Sequence, residues 1–220
     1  MGFSTGHDFR HRYCPGPQKS VIERRPAREC DVVIAFLQAE ISSSRYSDKC
    51  ILPLLYHNRL SREVLIDHPD LGSESDNGVR RMLLQAYRGF GANTLLFRGF
   101  PADVVWRFVE IEPKDHQLLL FANEDSWKRI SEGTRSVERL ARRIARLEEV
   151  SDTADRVRAI QQDLTDGKSM APLILVEGEN GTLVLVEGHS RATAYVGLNW
   201  QRNISALLGF SATMHNWHYY

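Results

Sequence analysis

The chain has 220 residues, of which 42% are apolar, so it can bury the core of a large domain and is not globally disordered. Its 28 basic and 28 acidic side chains balance, and no overall charge draws it towards nucleic acid or an anionic membrane surface. Its three cysteines form no closely spaced pair, which argues against a disulfide framework and against a structural zinc site.

The N-terminal part of the chain predicts an arm followed by helices. Residues 1–27 contain three prolines and several arginines, and they predict a flexible arm without an apolar signal segment. Residues 28–92 predict a helical region, because apolar side chains recur at helical spacing. The last helix of this region is predicted to be capped by Asp76 or Asn77 and to end at Gly89.

Residues 93–220 predict an α/β domain. Val104–Ile111 is rich in β-branched and aromatic residues that partly alternate with polar ones, and it predicts a strand. Residues 136–164 predict a long helix with a face of Arg and Glu. A local basic patch is predicted here from five arginines: Arg135, Arg139, Arg142, Arg143 and Arg146.

The last third of the chain gives the clearest pattern. Two apolar strands, 172–176 and 182–186, flank an Asn-Gly pair that is typical of a tight hairpin. The chain then turns at residues 187–191 into a short helix, 192–198, and a final strand is predicted at 204–208. The aromatic segment 214–220 is expected to pack on the domain as a cover. No apolar run reaches the ~20 residues of a membrane span, and a cytoplasmic location is expected.

The strand-to-helix turn Glu187-Gly188-His189-Ser190-Arg191 carries the densest chemistry. A helix that starts after glycine leaves backbone N–H groups facing outward, and these bind phosphate. Ser190 would add a hydroxyl and an N-cap, Arg191 a fork for phosphate oxygens, and His189 a proton carrier near neutral pH. Glu187 would bind a metal, a sugar hydroxyl or a proton. The alternative is that Ser190 only caps the helix, Arg191 pairs with Glu187, and His189 lies on the surface.

The stretch from Leu185 to Ala194 resembles the signature turn of the ParB/sulfiredoxin superfamily, within what looks like a small bacterial family. The resemblance implies an α+β fold: a ParB/sulfiredoxin-like small mixed sheet with helices, preceded by the helical N-terminal region. The cysteine that sulfiredoxin needs is replaced by His189. Partition-type ParB proteins have two arginines where only Arg191 remains. The nearest motif is that of the free serine kinases, with Glu187 in place of Asp and Ser190 in place of the second His.

The resemblance implies a nucleotide-binding protein that transfers phosphate to a small hydroxyl compound or hydrolyses a nucleotide. ATP, ADP or another nucleotide would be the cofactor, with Mg²⁺ as a candidate metal. The phosphates would be bound by five residues: Gly188, His189, Ser190, Arg191 and Thr193. Catalysis would rest on Glu187, His189 and Glu110, the last from the predicted strand 104–111. A non-catalytic nucleotide-responsive interaction module and a DNA-processing ParB-like protein are the alternatives.

Overall fold

The computed structural model describes residues 21–43 and 46–220. In this part of the chain a sheet is formed by β1 (Ile22–Ala27), β2 (Val105–Ile111), β3 (Leu119–Leu120), β4 (Leu173–Glu177), β5 (Leu183–Glu187) and β6 (Ile204–Phe210). The strand order is β1-β2-β6-β4-β5-β3. The pairs β6–β4 and β5–β3 are parallel, and the other neighbours are antiparallel. The sheet is therefore mixed, and the expected α+β class is confirmed.

The hairpin between β4 and β5 confirms the turn predicted from the Asn-Gly pair. The two strands pair antiparallel, and a short 3₁₀ turn, Glu179–Gly181, joins them. Asn180 and Gly181 both have positive φ, at 54° and 79°. Because Asn and Gly reach this backbone region most readily, the sequence signal has a direct physical cause.

Helices cover the sheet on both faces. They are α1 (Glu29–Ile41), α2 (Leu52–His57), α3 (Glu74–Arg88), α4 (Asp125–Ile130), α5 (Val137–Ala145), α6 (Asp152–Thr165) and α7 (His189–Gly197). A membrane-spanning helix, long and apolar throughout, is not found among the described residues.

The apolar side chains of β4 show how the layers are organised. Ile174 and Val176 join a core cluster with α1 and α3, whereas Leu173 and Leu175 join a second cluster with α5, α6 and α7. The strand is buried on both faces, which explains its unbroken apolar sequence. The helical region 28–92 therefore packs directly on the sheet and shares a core with it.

Three sequence predictions need correction. The arm predicted for residues 1–27 is wrong for Ile22–Ala27, which form β1 against β2; residues 1–20 lie outside the described part. The helix predicted over 136–164 is two helices, because Ser151 caps a new start by accepting a bond from the Ala154 N–H. Helix α3 is capped by Ser73, not by Asp76 or Asn77, and it ends at Gly89 as predicted.

The arginines of α5 do not form a free basic patch. Arg139, Arg142, Arg143 and Arg146 each lie within 4 Å of a glutamate carboxylate. Arg135 instead donates to the carbonyl of Phe121, at 2.8 Å, and to that of Tyr220. This surface is thus a network of ion pairs.

The aromatic C-terminal segment packs on the molecule, as predicted. Trp217 is buried, and its Nε1–H donates to the Leu96 carbonyl at 2.7 Å. The neighbouring His218 N–H donates to the Arg98 carbonyl.

Candidate functional site

Strand β5 ends at Glu187, and Gly188 turns the chain directly into α7. Gly188 has a φ of 98°, in the left-handed region that L side chains rarely adopt. A Cβ at this position would lie 2.6 Å from Leu173 Cδ2 and 3.1 Å from Arg191 Nη2. The glycine is thus needed both for the turn and for the close fit of Arg191 against the start of β4.

The first turn of α7 has no side-chain cap. Gly188 is the N-cap residue, and it has no side chain that could accept from the helix N–H groups. The predicted capping role of Ser190 is therefore wrong, because Ser190 is already the second residue of the helix. The first regular backbone bond runs from the Ala192 N–H to the Gly188 carbonyl at 2.8 Å. The N–H groups ahead of it give this helix end partial positive charge.

Arg191 is buried, with only 9% of its surface exposed. Its Nη2 donates to the Pro172 carbonyl at 3.3 Å and lies 3.9 Å from Glu187 Oε1. Its Nε is buried and has no hydrogen-bond partner. Burial lowers the pKa of the guanidinium, and the nearby charge of Glu187 opposes this shift. The pairing of Arg191 with Glu187 that the sequence left open is present, yet one donor of the arginine is unused.

His189 is held in an aromatic stack. Its ring lies parallel to that of Trp127 at 4.6 Å between centroids, and to that of Phe121 at 5.9 Å. Burial, together with the positive charges of Arg88 and Arg191, lowers the pKa of His189 to about 3. The expectation that His189 carries a proton near neutral pH is therefore corrected for the free protein: its ring is neutral there, and Nε2 has no hydrogen-bond partner.

The structure places two further predicted site residues away from the open side of the turn. Thr193 is fully buried in α7, and its hydroxyl donates to the His189 carbonyl at 2.8 Å. Glu110 lies on β2 and is separated from β5 by β6 and β4, which corresponds to about 14 Å of sheet. Its carboxylate accepts from Arg24 at 2.6 Å and from Asn203 at 2.8 Å.

Residues of the helical region that were not predicted from the sequence complete the site. Glu40, at the end of α1, is 1% exposed and forms an ion pair through Oε1 with Arg88, the last residue of α3. The Arg88 guanidinium also lies 3.8 Å from the centre of the Tyr46 ring. Tyr87 places its hydroxyl beside the Glu40 carboxylate, without the geometry of a hydrogen bond.

The charges of the buried ion pair between Glu40 and Arg88 interact with those of the turn. Burial and the negative charge of Glu187 raise the pKa of Glu40 to about 7, although Arg88 opposes the shift. The charge of Arg88 in turn acts on His189. Helix α1 packs on β4, the strand beside β5. The charged groups at the ends of α1 and α3 are therefore electrostatically coupled to the turn, and we call these groups and the turn the polar cluster.

Several polar atoms of this cluster are buried and lack a partner with the geometry of a hydrogen bond: Glu40 Oε2 and the neighbouring Tyr87 hydroxyl, Arg88 Nε, His189 Nε2 and Arg191 Nε. Buried polar atoms in proteins are nearly always paired, because each unpaired one costs roughly 1–3 kcal/mol. Such a concentration at one place points to a site for a polar ligand.

Glu40 and Arg88 leave only a weak signal in the sequence. Glu40 is a lone carboxylate in the apolar run 32–41, and Arg88 directly precedes the helix-ending Gly89. Neither lies in a local motif, and about a hundred residues separate Arg88 from the turn. A charge on an otherwise apolar helix is the signal that could have marked Glu40.

No protein-family model, curated protein or solved structure matches the chain. A function for the turn therefore rests on the chemistry of its own residues, which is in any case the better basis, since a fold alone does not define a function. That chemistry combines uncapped helix amides, two arginines with free donors, and two carboxylates, Glu40 and Glu187.

Proposed function

We propose that the chain is a nucleotide-binding protein of the ParB/sulfiredoxin-like type that binds phosphate at the turn 187–191. Its reaction would be phosphate transfer from ATP, ADP or another nucleotide to a small hydroxyl compound, or hydrolysis of the nucleotide. The motif of the turn, nearest to that of the free serine kinases, supports this assignment. The hairpin β4–β5 that leads into the turn fits the same pattern.

One observation carries the proposal: the turn combines an uncapped helix N-terminus with buried arginine donors that have no partner. The free donors are Nε of Arg88 and Nε of Arg191, and the helix begins at His189. A tetrahedral oxyanion offers several acceptors within a small volume, which suits the helix N–H groups and the Arg191 Nε in the first turn of the same helix.

The residues of the turn would have different roles according to their chemistry. The backbone N–H groups after Gly188 and the Ser190 hydroxyl would bind phosphate oxygens, and Arg191 would stabilise the charge that develops during transfer. His189 would act as a neutral hydrogen-bonding group held by its stack. Thr193 would support the turn from inside through its bond to the His189 carbonyl.

The carboxylates Glu187 and Glu40 are better placed than Glu110 to take a proton from an attacking hydroxyl. Glu110 is already bound by Arg24 and Asn203, whereas Glu187 lies in the turn itself and Glu40 is electrostatically coupled to it. Within the described residues no group of three or more His, Cys, Asp or Glu is arranged to hold a metal. Mg²⁺ would therefore be held by Glu187 together with phosphate oxygens of the nucleotide, where it would supply positive charge.

The polar cluster, to which both the helical region and the turn contribute, favours a second function. This function is that of a non-catalytic nucleotide-responsive module. Because Glu40 and Arg88 belong to the helical region, a ligand at the turn would change the environment of α1 and α3 directly. Glu187→Gln separates the two functions. An enzyme would lose turnover while nucleotide binding persists, whereas a module would show nucleotide binding without turnover in either form.

The proposal is tested by thermal unfolding of wild type, Arg191→Ala and Arg62→Ala with ATP, ADP, CTP, GTP or orthophosphate, each with and without Mg²⁺. A ligand at about 100 times its Kd stabilises the folded state by ~2.7 kcal/mol, which raises Tm by roughly 5–10 °C at this size. We expect this rise in wild type and in Arg62→Ala, whose arginine forms an exposed pair with Asp67. We expect it to be absent in Arg191→Ala.

Two outcomes would count against the proposal. An equal rise in wild type and Arg191→Ala would place the ligand elsewhere. The absence of any rise in wild type with every nucleotide and with orthophosphate would remove phosphate binding altogether.

A further inference from the structure

The indole of Trp127 contacts the turn and is also open to solvent. Helix α4, which carries it, contains no buried residue, and Trp127 itself is only half-buried. Its ring lies parallel to that of His189, the first residue of α7, with 4.6 Å between the two centroids. A partly exposed tryptophan thus lies directly against the first residue of the helix end that would bind phosphate.

The rings of Phe121 and His189 lie on the same face of Trp127. Their planes are inclined to the indole by only 20° and 11°. Two rings stacked on opposite faces of the indole would be about 7 Å apart, because each stacked pair is separated by ~3.5 Å. The centroids of Phe121 and His189 are closer than this, at 5.9 Å. We call the face of Trp127 that is turned away from them the outer face, and no third ring of the described residues stacks on it.

A free aromatic face at this place fits a nucleobase. Every nucleobase has a flat π-face that stacks on tryptophan without needing a hydrogen-bond partner. A base on the outer face would lie roughly 8 Å from the centre of the His189 ring. The ribose and phosphates of a nucleotide can extend over this distance to the helix N–H groups after Gly188. Inorganic phosphate and sugar phosphates have no group that would cover the outer face.

We propose that the outer face of Trp127 stacks the base of the nucleotide whose phosphates bind at the turn 187–191. This inference rests on the proposed function, and it assigns the site to nucleotides in preference to other phosphorylated compounds. The contacts with Phe121 and His189 hold the indole in place before the ligand arrives, so little side-chain freedom is lost on binding. Because stacking does not depend on the hydrogen-bonding edge of the base, both purine and pyrimidine nucleotides are accepted.

The test is isothermal titration of the full chain with ADP and with pyrophosphate, which share the diphosphate and differ in the base. Wild type is compared with Trp127→Leu, in which leucine keeps an apolar side chain over His189 but has no π-face. The control is Trp200→Leu, because Trp200 follows the opposite end of α7 and packs on Tyr195. All titrations are made with the same Mg²⁺ concentration at about pH 8, where even a solvent-exposed imidazole is neutral.

ADP is expected to bind wild type and Trp200→Leu about 5- to 150-fold more tightly than it binds Trp127→Leu, which is the usual effect of one base stacked on an aromatic side chain. Pyrophosphate is expected to bind all three forms with the same Kd. In wild type, NMR should show nuclear Overhauser effects between the adenine protons of ADP and the indole protons of Trp127. This measurement is decisive even if Trp127→Leu does not fold.

Three results would contradict the stacking. An equal loss of ADP and pyrophosphate binding in Trp127→Leu would mean that Trp127 only supports the turn. Unchanged ADP binding in Trp127→Leu, or the absence of the Overhauser effects in wild type with bound ADP, would place the base elsewhere. Each of these results overturns the role of Trp127 and leaves phosphate binding at the turn intact. If neither ADP nor pyrophosphate binds wild type, the stacking and the proposed function both fail.

Discussion

At the scale of single residues, Gly188 combines a positive φ with a close approach of other atoms to the position of a Cβ, as Gly89, Gly91 and Gly99 also do. Gly133 has a similar positive φ, 80°, but a Cβ there would meet no atom within 4 Å. At Gly188 a Cβ would approach Leu173 and Arg191 as well. Gly133→Ala therefore reports backbone strain alone, about 1–2 kcal/mol.

We expect Gly188→Ala to lower the free energy of unfolding by at least about 1 kcal/mol more than Gly133→Ala, because the added methyl group displaces a buried side chain. Urea unfolding of the two variants measures the difference. Equal losses would mean that the fit of Arg191 does not depend on the glycine.

His189 and Glu40 are expected to give the stability of the protein opposite pH dependences. The folded state lowers the pKa of His189 from 6.5 to about 3, so its contribution is complete above pH 6.5 and is lost as the pH falls towards 3. The folded state raises the pKa of Glu40 from 4.5 to about 7, so its contribution is complete below pH 4.5 and is lost as the pH rises through 7. Each shift corresponds to several kcal/mol at about 1.4 kcal/mol per pKa unit.

Single variants should expose each contribution. Acidification from about pH 7 to about pH 5 should stabilise His189→Phe relative to wild type, because only the effect of Glu40 remains. The same change should destabilise Glu40→Gln relative to wild type. Urea unfolding at the two pH values measures both. Identical pH slopes in the two variants would contradict the shifted pKa values.

The sequence predicted the local part of this site and missed the distant part. Residues 187–191 form the predicted strand-to-helix turn, because the glycine and the apolar strand before it act through neighbouring backbone. Glu40 and Arg88 reach the turn only through packing of helices on the sheet, which no local pattern encodes. The neutral state of His189 was missed for the same reason, since it depends on burial and on Arg88.

At the scale of elements, the strands of the last third were predicted more closely than the helices. The strands of the last third were predicted to within two residues, because the hairpin and the helix start set their ends. The break between α5 and α6 was missed although Ser151 is a good N-cap, because apolar spacing continues across it. Helix α4 was not predicted as an element, since six residues give too little periodicity.

Helix α4 covers the turn through Trp127, which stacks on both Phe121 and His189. In Trp127→Leu we expect water to reach the imidazole, so that the pKa of His189 rises from about 3 towards 6.5. Trp200→Leu is the control, because Trp200 packs on Tyr195 instead. NMR titration of the histidine ring measures the pKa in each variant. If the pKa of His189 stayed low in Trp127→Leu, the stack with Trp127 would not be what excludes water from the imidazole.

At the scale of the whole molecule, the helical region and the sheet should unfold together. The sequence suggested separate units at 28–92 and 93–220, yet one core cluster contains Phe36 of α1 and Val186 of β5. Glu40 lies one helical turn beyond Phe36 on the same helix. A substitution that disrupts the core under α1 should therefore also change the structure around the turn.

We expect Phe36→Ala to lower the free energy of unfolding by about 3–5 kcal/mol, because Phe36 is fully buried and its loss leaves a cavity. Tyr56→Ala, in α2, should change it by no more than about 0.5 kcal/mol, because Tyr56 is 82% exposed. Urea unfolding followed by far-UV circular dichroism and by tryptophan fluorescence should give one coincident transition in both variants. If Phe36→Ala lost helical signal in an earlier transition while the fluorescence of Trp127 was unchanged, the helical region would be a separate unit. Glu40 would then not be held at the turn by a common core.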